Sequence, residues 1–243
     1  MEPWMIMYIV AAALIFPSVI LSAFSQMGTI SAYNSFSKVL SGIRIPASEM
    51  SQKILVDEGL SDIKVAQINS KSTNRYEPKY KVIKLSTDNF DSYSIAAICV
   101  GAHEVGHAIQ HSRFKFLFKL KFYLNIILNF ACNLVLPLIL LGSIIAFTFN
   151  YLVAGSYIIW AGIIIYATIL LFYLVNLPFE FYASKRALSL LKKTDCFEEN
   201  EITSIKKMLS STTYKYCAAL SKNLFFFLNF LNFSYVSSNG RKQ

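Results

Sequence analysis

Histidine is scarce in this chain. Its 243 residues contain three, all within nine positions, at 103, 107 and 111. Imidazole chemistry is therefore confined to one short stretch. Charge is missing as well: none occurs between Glu2 and Lys38, and none between Lys121 and Glu180, a run of 58 residues. A hydrophobic fraction of 55% with only 15% charged residues excludes an ordinary soluble globule and fits a membrane protein. The four cysteines, Cys99, Cys132, Cys196 and Cys217, lack C-x-x-C spacing. They read as small buried apolar side chains, not as disulfide partners. The net charge of +9 comes without an arginine-rich block or a nucleic-acid-binding motif, so nucleic acid is not an expected partner.

What remains is organised by its apolar runs. About 20 apolar residues cross the hydrocarbon core as a helix. The long uncharged run thus holds two spans, at 123–149 and 152–177, with Asn150 and Tyr151 at the turn. A first span covers 3–24, and it reads as an uncleaved anchor because it lacks a basic n-region and a clear cleavage site. The apolar stretch 216–236 is interrupted by Lys222, Asn223, Asn229 and Asn232, and is either a fourth span or a helix lying in the interface. Thirteen Lys and Arg fall between the first two spans and seven between Glu180 and Lys215, whereas the hairpin turn carries none. By the positive-inside rule both charged regions face the cytoplasm.

Between the first two spans the pattern changes to that of a folded soluble region. Pro46 introduces a helix over 48–58, with Met50, Ile54 and Leu55 on one face and Gly59 closing it. Alternating, β-branched runs at 63–68 and 80–85 flank a turn-prone segment holding Asn74 and Pro78, and predict a small antiparallel sheet. Beyond the histidines, Arg113, Lys115, Lys119 and Lys121 alternate with Phe114, Phe116, Phe118 and Phe122, an interfacial anchor at the entry to a span.

The histidines lie in S-Y-S-I-A-A-I-C-V-G-A-H-E-V-G-H-A-I-Q-H, residues 92–111. Asp91 or Ser92 can cap a helix that no proline interrupts. In such a helix His103 and His107 lie about 40° apart around the axis and about 6 Å apart along it, so both imidazoles can reach one metal ion. Glu104 then points beside the metal, as a general base for the water that the metal activates. The H-E-x-x-H pattern therefore proposes a zinc-dependent hydrolase. Gly106, between the ligands, predicts close approach by a strand or a substrate backbone.

A catalytic zinc usually takes three protein ligands and leaves one position open. His111 lies about 12 Å along the helix from His103, too far to share the ion, and reads as an outer or capping histidine. Glu180 is the better candidate. It is the first charge after the 58-residue run, and two crossings return the chain to the face that holds the histidines. The alternative for Glu180 is an interfacial carboxylate paired with Lys185 or Arg186.

These segments, together with L-P-F-E-F-Y-A-S-K-R-A at 177–187, resemble the bacterial membrane-bound neutral zinc metallopeptidases, the YugP-like family. The resemblance covers most of the chain. It implies a glutamate-liganded zincin (gluzincin) with one Zn2+ held by His103, His107 and Glu180, and with Glu104 as catalytic base. Related membrane gluzincins often carry an aspartate four residues after the glutamate, where this chain has Ser184, a hydroxyl that can orient a ligand by hydrogen bonding.

The expected molecule is a mainly α, multi-pass protein of the cytoplasmic (inner) cell membrane. Three to four transmembrane helices carry a small α+β zincin-like catalytic domain at the cytoplasmic face. Its segments are an anchor (1–24), a catalytic region (25–121), a hairpin (122–177), a cytoplasmic segment with the third ligand (178–215) and a last membrane helix with its tail (216–243). The expected partners are membrane lipid and a peptide or membrane-protein substrate, and the sequence fixes no oligomeric state. Two alternatives stand beside this reading: an intramembrane metalloprotease and a catalytically silent metal-binding scaffold. For the oxyanion, Tyr182 and Arg186 are the candidate donors.

Overall fold

A computed structural model describes residues 20, 24, 27–28, 30–69, 73–147, 149 and 151–239. The predicted first span, 3–24, lies outside the described residues except at 20 and 24. The chain is mostly helical with one small sheet. It falls into two compact units. One comprises Ser25–Leu120 with Leu177–Tyr216, and the other includes Lys121–Asn176 and the chain from Cys217 onward.

The first unit opens with helical residues 30–36 and with α1, Ala47–Asp57, which buries Met50, Ile54 and Leu55. The Gly59 amide bonds the Val56 carbonyl and the Leu60 amide bonds the Leu55 carbonyl, while Gly59 adopts φ +73°. This paired closure of a helix end needs a left-handed residue, which explains the glycine.

Three strands follow: β1 (Lys64–Ile68), β2 (Arg75–Glu77) and β3 (Val82–Ser86). The sheet order is β1-β3-β2. β1 runs parallel to β3, with Lys64 opposite Val82, whereas β2 pairs antiparallel with β3, with Arg75 opposite Lys84. The antiparallel pairing predicted for β1 and β3 is thus corrected. The intervening strand reverses the chain once more, so its neighbours in sequence point the same way. β2 forms the sheet's second edge.

A single-turn helix, α2 (Thr87–Phe90), leads to the motif helix α3 (Ile95–Arg113). Its cap is Ser94, whose hydroxyl accepts the Ala97 amide, and not Asp91 or Ser92 as predicted. Ser92 instead donates its hydroxyl to the Ser94 Oγ at 3.0 Å. Helix α3 is the core of this unit: Ile95, Ala96, Ala97, Ile98, Ala102, Val105, Ala108 and Ile109 are buried, with Ile83 and Leu85 of β3 in the same apolar cluster. Cys99 belongs to it, and burial pushes its thiol pKa far up, so it is a buried apolar side chain.

Three longer helices complete the architecture: α4 (Lys115–Phe147), α5 (Leu152–Lys193) and α6 (Glu199–Asn239). The end of α5 closes on α3 at Gly106, where a Cβ would stand 2.7 Å from the Ala183 carbonyl oxygen and 3.1 Å from its Cα. A helix, and not a strand or substrate, makes the close approach predicted there. Replacing Gly106 by alanine is expected to destabilise the fold by about 1–3 kcal/mol through overpacking, read as a lowered Tm in detergent.

In the second unit, α4 and α5 share an apolar cluster of Leu128, Val135, Ile139 and Ile169. A Cβ on Gly142 would lie 2.9 Å from the Gly155 carbonyl oxygen, the close backbone approach that small residues permit between packed helices. Among the described residues, two helical stretches are long and apolar enough to cross a membrane, Lys115–Gly142 and Val153–Lys193. Phe130, Trp160, Ile164 and Leu171 on them are exposed. Residues 216–236 do not form a separate element but continue α6.

Candidate metal centre

The site is built by α3 and α5. The helical repeat puts His103 and His107 on one face of α3, with ring centroids 4.8 Å apart and planes nearly perpendicular. Glu180, near the start of the buried end of α5, faces both. Its Oε2 lies 3.5 Å from the Nε2 of His103 and 3.5 Å from the Nε2 of His107. One ligand atom from each of the three residues falls within 4.8 Å of the others. A tetrahedral zinc with ligand bonds of about 2.0–2.2 Å needs donors about 3.3 Å apart, so the three fit one ion after small side-chain adjustment.

The far sides of both rings support the same fit. The Nδ1 of His103 is 3.2 Å from Ser184 Oγ, and the Nδ1 of His107 is 2.8 Å from Gln110 Oε1. With Nδ1 engaged outward on each ring, Nε2 faces inward. Glu180 also receives a hydrogen bond from the Tyr216 hydroxyl, carried by α6. Partners of this kind orient ligands in metal sites.

Glu104 does not join the triplet. It is buried, and its Oε2 accepts the Tyr76 amide of β2 at 2.6 Å. An edge strand thus lies against the residue proposed as base. Tyr76 also reaches His111, whose Nδ1 stands 2.9 Å from the Tyr76 hydroxyl. Burial, followed by the field of Asp62, pushes the Tyr76 hydroxyl to a pKa of about 12. It therefore keeps its proton, and the direction of the bond follows the His111 tautomer. Burial lowers the His111 pKa, and Lys119, Lys115 and Lys81 add to the effect, which favours the neutral ring. His111 stands outside the triplet and ties β2 to α3. Phe118 packs against both rings of this pair.

Arg186 does not reach the triplet. Its Nη2 donates to Glu58 Oε2 at 2.5 Å, and Lys193 Nζ lies 3.4 Å from the other oxygen of the same carboxylate. Burial opposes the charge on Glu58, but Arg186 and Lys193 outweigh it and hold the Glu58 pKa below its usual value. The ion pair considered between Arg186 and Glu180 is therefore made with Glu58 instead.

Sequence reasoning missed Tyr76, Gln110 and Tyr216, and it read Phe118 as part of an interfacial anchor, whereas Phe118 is buried against Tyr76, His107 and His111. A three-residue strand has no readable alternation, and a tyrosine in a long helix carries no local signal. Gln110 left a trace, as an amide three residues beyond the second histidine of the motif on a helix.

A family model described as "Putative neutral zinc metallopeptidase" matches residues 11–235. The chain is 32% identical over 223 residues to "Putative membrane protease YugP" of Bacillus subtilis (strain 168), covering 92% of this chain and 94% of that protein. No solved structure matches the chain.

Proposed function

The chain belongs to the neutral zinc metallopeptidase family, and from that premise we propose that it is a membrane-embedded zinc endopeptidase. Its substrates are membrane-associated or juxtamembrane proteins, and its site faces the cytoplasm. The observation that carries this reading is the convergence of His103, His107 and Glu180 within 4.8 Å, with Glu104 on the intervening turn. The exposed apolar faces of the two long helices support lipid as their surroundings, and the lysine and arginine distribution supports the sidedness.

His103, His107 and Glu180 would hold one zinc ion. That ion, when bound, supplies Lewis acidity that lowers the pKa of water toward neutrality and polarises the scissile carbonyl. The chain's own residues supply the rest. With its Oε2 on the Tyr76 amide, Glu104 uses Oε1 to take the proton from the attacking water and then passes it to the leaving amine. β2, whose Tyr76 amide bonds Glu104, is the edge strand beside which an extended peptide would lie. Tyr216, hydrogen-bonded to Glu180, joins Tyr182 as a candidate donor to the developing oxyanion, while Arg186 is paired with Glu58.

The test is direct. Purified protein is expected to contain one zinc per chain and to cleave quenched peptide or membrane-protein substrates. Chelation should abolish the cleavage and zinc should restore it. Hydrolysis that survives complete metal removal would overturn the proposal.

A further inference from the structure

The two imidazoles of the site are not held in the same way. Ser184, behind His103, offers a hydroxyl that can either donate or accept, so it is compatible with a proton on either ring nitrogen. Gln110, behind His107, has no such freedom. It is 2% exposed, and its two amide atoms have separate partners. The Nε2 lies 2.7 Å from the Phe179 carbonyl oxygen, and the Oε1 lies 2.8 Å from His107 Nδ1. A backbone carbonyl only accepts, so the amide nitrogen must face Phe179 and the amide oxygen must face His107. The oxygen in turn only accepts, so His107 Nδ1 must carry the hydrogen. A neutral imidazole has one N–H, and this leaves His107 Nε2 without a hydrogen, its lone pair 3.5 Å from Glu180 Oε2.

We infer that Gln110 is a positioning residue that locks the His107 tautomer and ties the motif helix to the third-ligand helix at the peptide unit preceding Glu180. The inference rests on the metallopeptidase reading given above. Its physical content is a competition. Without the lock, His107 could carry its proton on Nε2 and donate it to the Glu180 carboxylate, closing the site with an internal hydrogen bond that a metal must break. With the lock, the His107 lone pair and the Glu180 carboxylate face each other with no proton between them. Removing a cation from such an arrangement restores repulsion between acceptors, so the lock favours metal retention.

The test uses the full-length protein in detergent. Three histidines in the chain make selective 15N labelling of the rings practicable. Zinc-free wild type, above the histidine titration range, is expected to show His107 protonated at Nδ1. Gln110→Met, close in shape and without the amide, is expected to move the proton to Nε2 and to weaken zinc binding about 10- to 100-fold. Gln110→Glu keeps an oxygen toward His107 and is expected to retain the Nδ1 proton. Unchanged tautomer and unchanged zinc affinity in the methionine variant would overturn the inference. Should that variant not fold, Gln110→Glu decides, and a proton on Nε2 in it overturns the assignment. The two readings separate cleanly. Wild type that binds zinc but cleaves nothing sinks the peptidase while leaving the lock. An active wild type with a methionine variant indistinguishable from it sinks the lock alone.

Discussion

Glu104→Gln is expected to slow peptide hydrolysis by about 10²- to 10⁴-fold while leaving zinc bound at the wild-type stoichiometry. The amide is the same size and still offers an oxygen to the Tyr76 amide, so the contact between β2 and α3 survives. What disappears is a carboxylate that can accept a proton from water, which an amide does not replace. Glu104 is not one of the three convergent donors, which is why metal content should not follow activity down. The paired measurement is kcat on a cleavable peptide with zinc per chain by elemental analysis. Wild-type turnover in the glutamine form would remove Glu104 from the chemistry.

Glu180→Ala should do the reverse, acting first on the metal. Two imidazoles would remain, and a two-ligand site on one helix lacks the charge and the geometry of three converging donors. Partners that merely orient a ligand are worth about 10- to 100-fold in metal affinity, so loss of the ligand itself should cost about 100-fold or more. Zinc would accordingly cease to raise the Tm at concentrations that stabilise wild type. Substituting Arg186 is the informative contrast. It breaks the pair with Glu58, and its cost should appear in stability with zinc affinity retained. An alanine variant at 180 with unaltered zinc affinity would place the third ligand elsewhere.

The elements that the sequence specified clearly are those in which one physical signal dominates. The turn between His103 and His107 follows from helical geometry alone, and α1 announced itself by an apolar face and a glycine that its final turn required. Glu180 was singled out as the first charge after the long uncharged run, and the structure brings it beside His103 and His107. The antiparallel pairing expected of β1 and β3 fails on a count of chain reversals. One strand, Arg75–Glu77, carries no local signal, so the count comes out at one reversal where the chain makes two. That strand has three residues, charged at both ends, and is held by the Glu104 and His111 contacts at Tyr76 as well as by β3. Nothing local announces such a strand. Ser94 displaced Asp91 and Ser92 as cap because residues 40–41 pair with residues 93–94, which keeps the chain extended up to Ser94. That constraint comes from fifty residues away.

The seam between the two ligand-bearing helices has a consequence for how the chain can vary. At Gly106 the motif helix rests on the backbone of Ala183, and at Gln110 it grips the carbonyl of Phe179. On the α5 side, both contacts are made with main-chain atoms that every residue type possesses. The register of the site is therefore indifferent to the side-chain identity of residue 179, and it makes its demands on the motif helix instead. Mutational robustness at these two contacts is unevenly shared: the motif helix must hold a hydrogen atom at 106 and an amide at 110, whereas the contact at 179 asks nothing of its side chain.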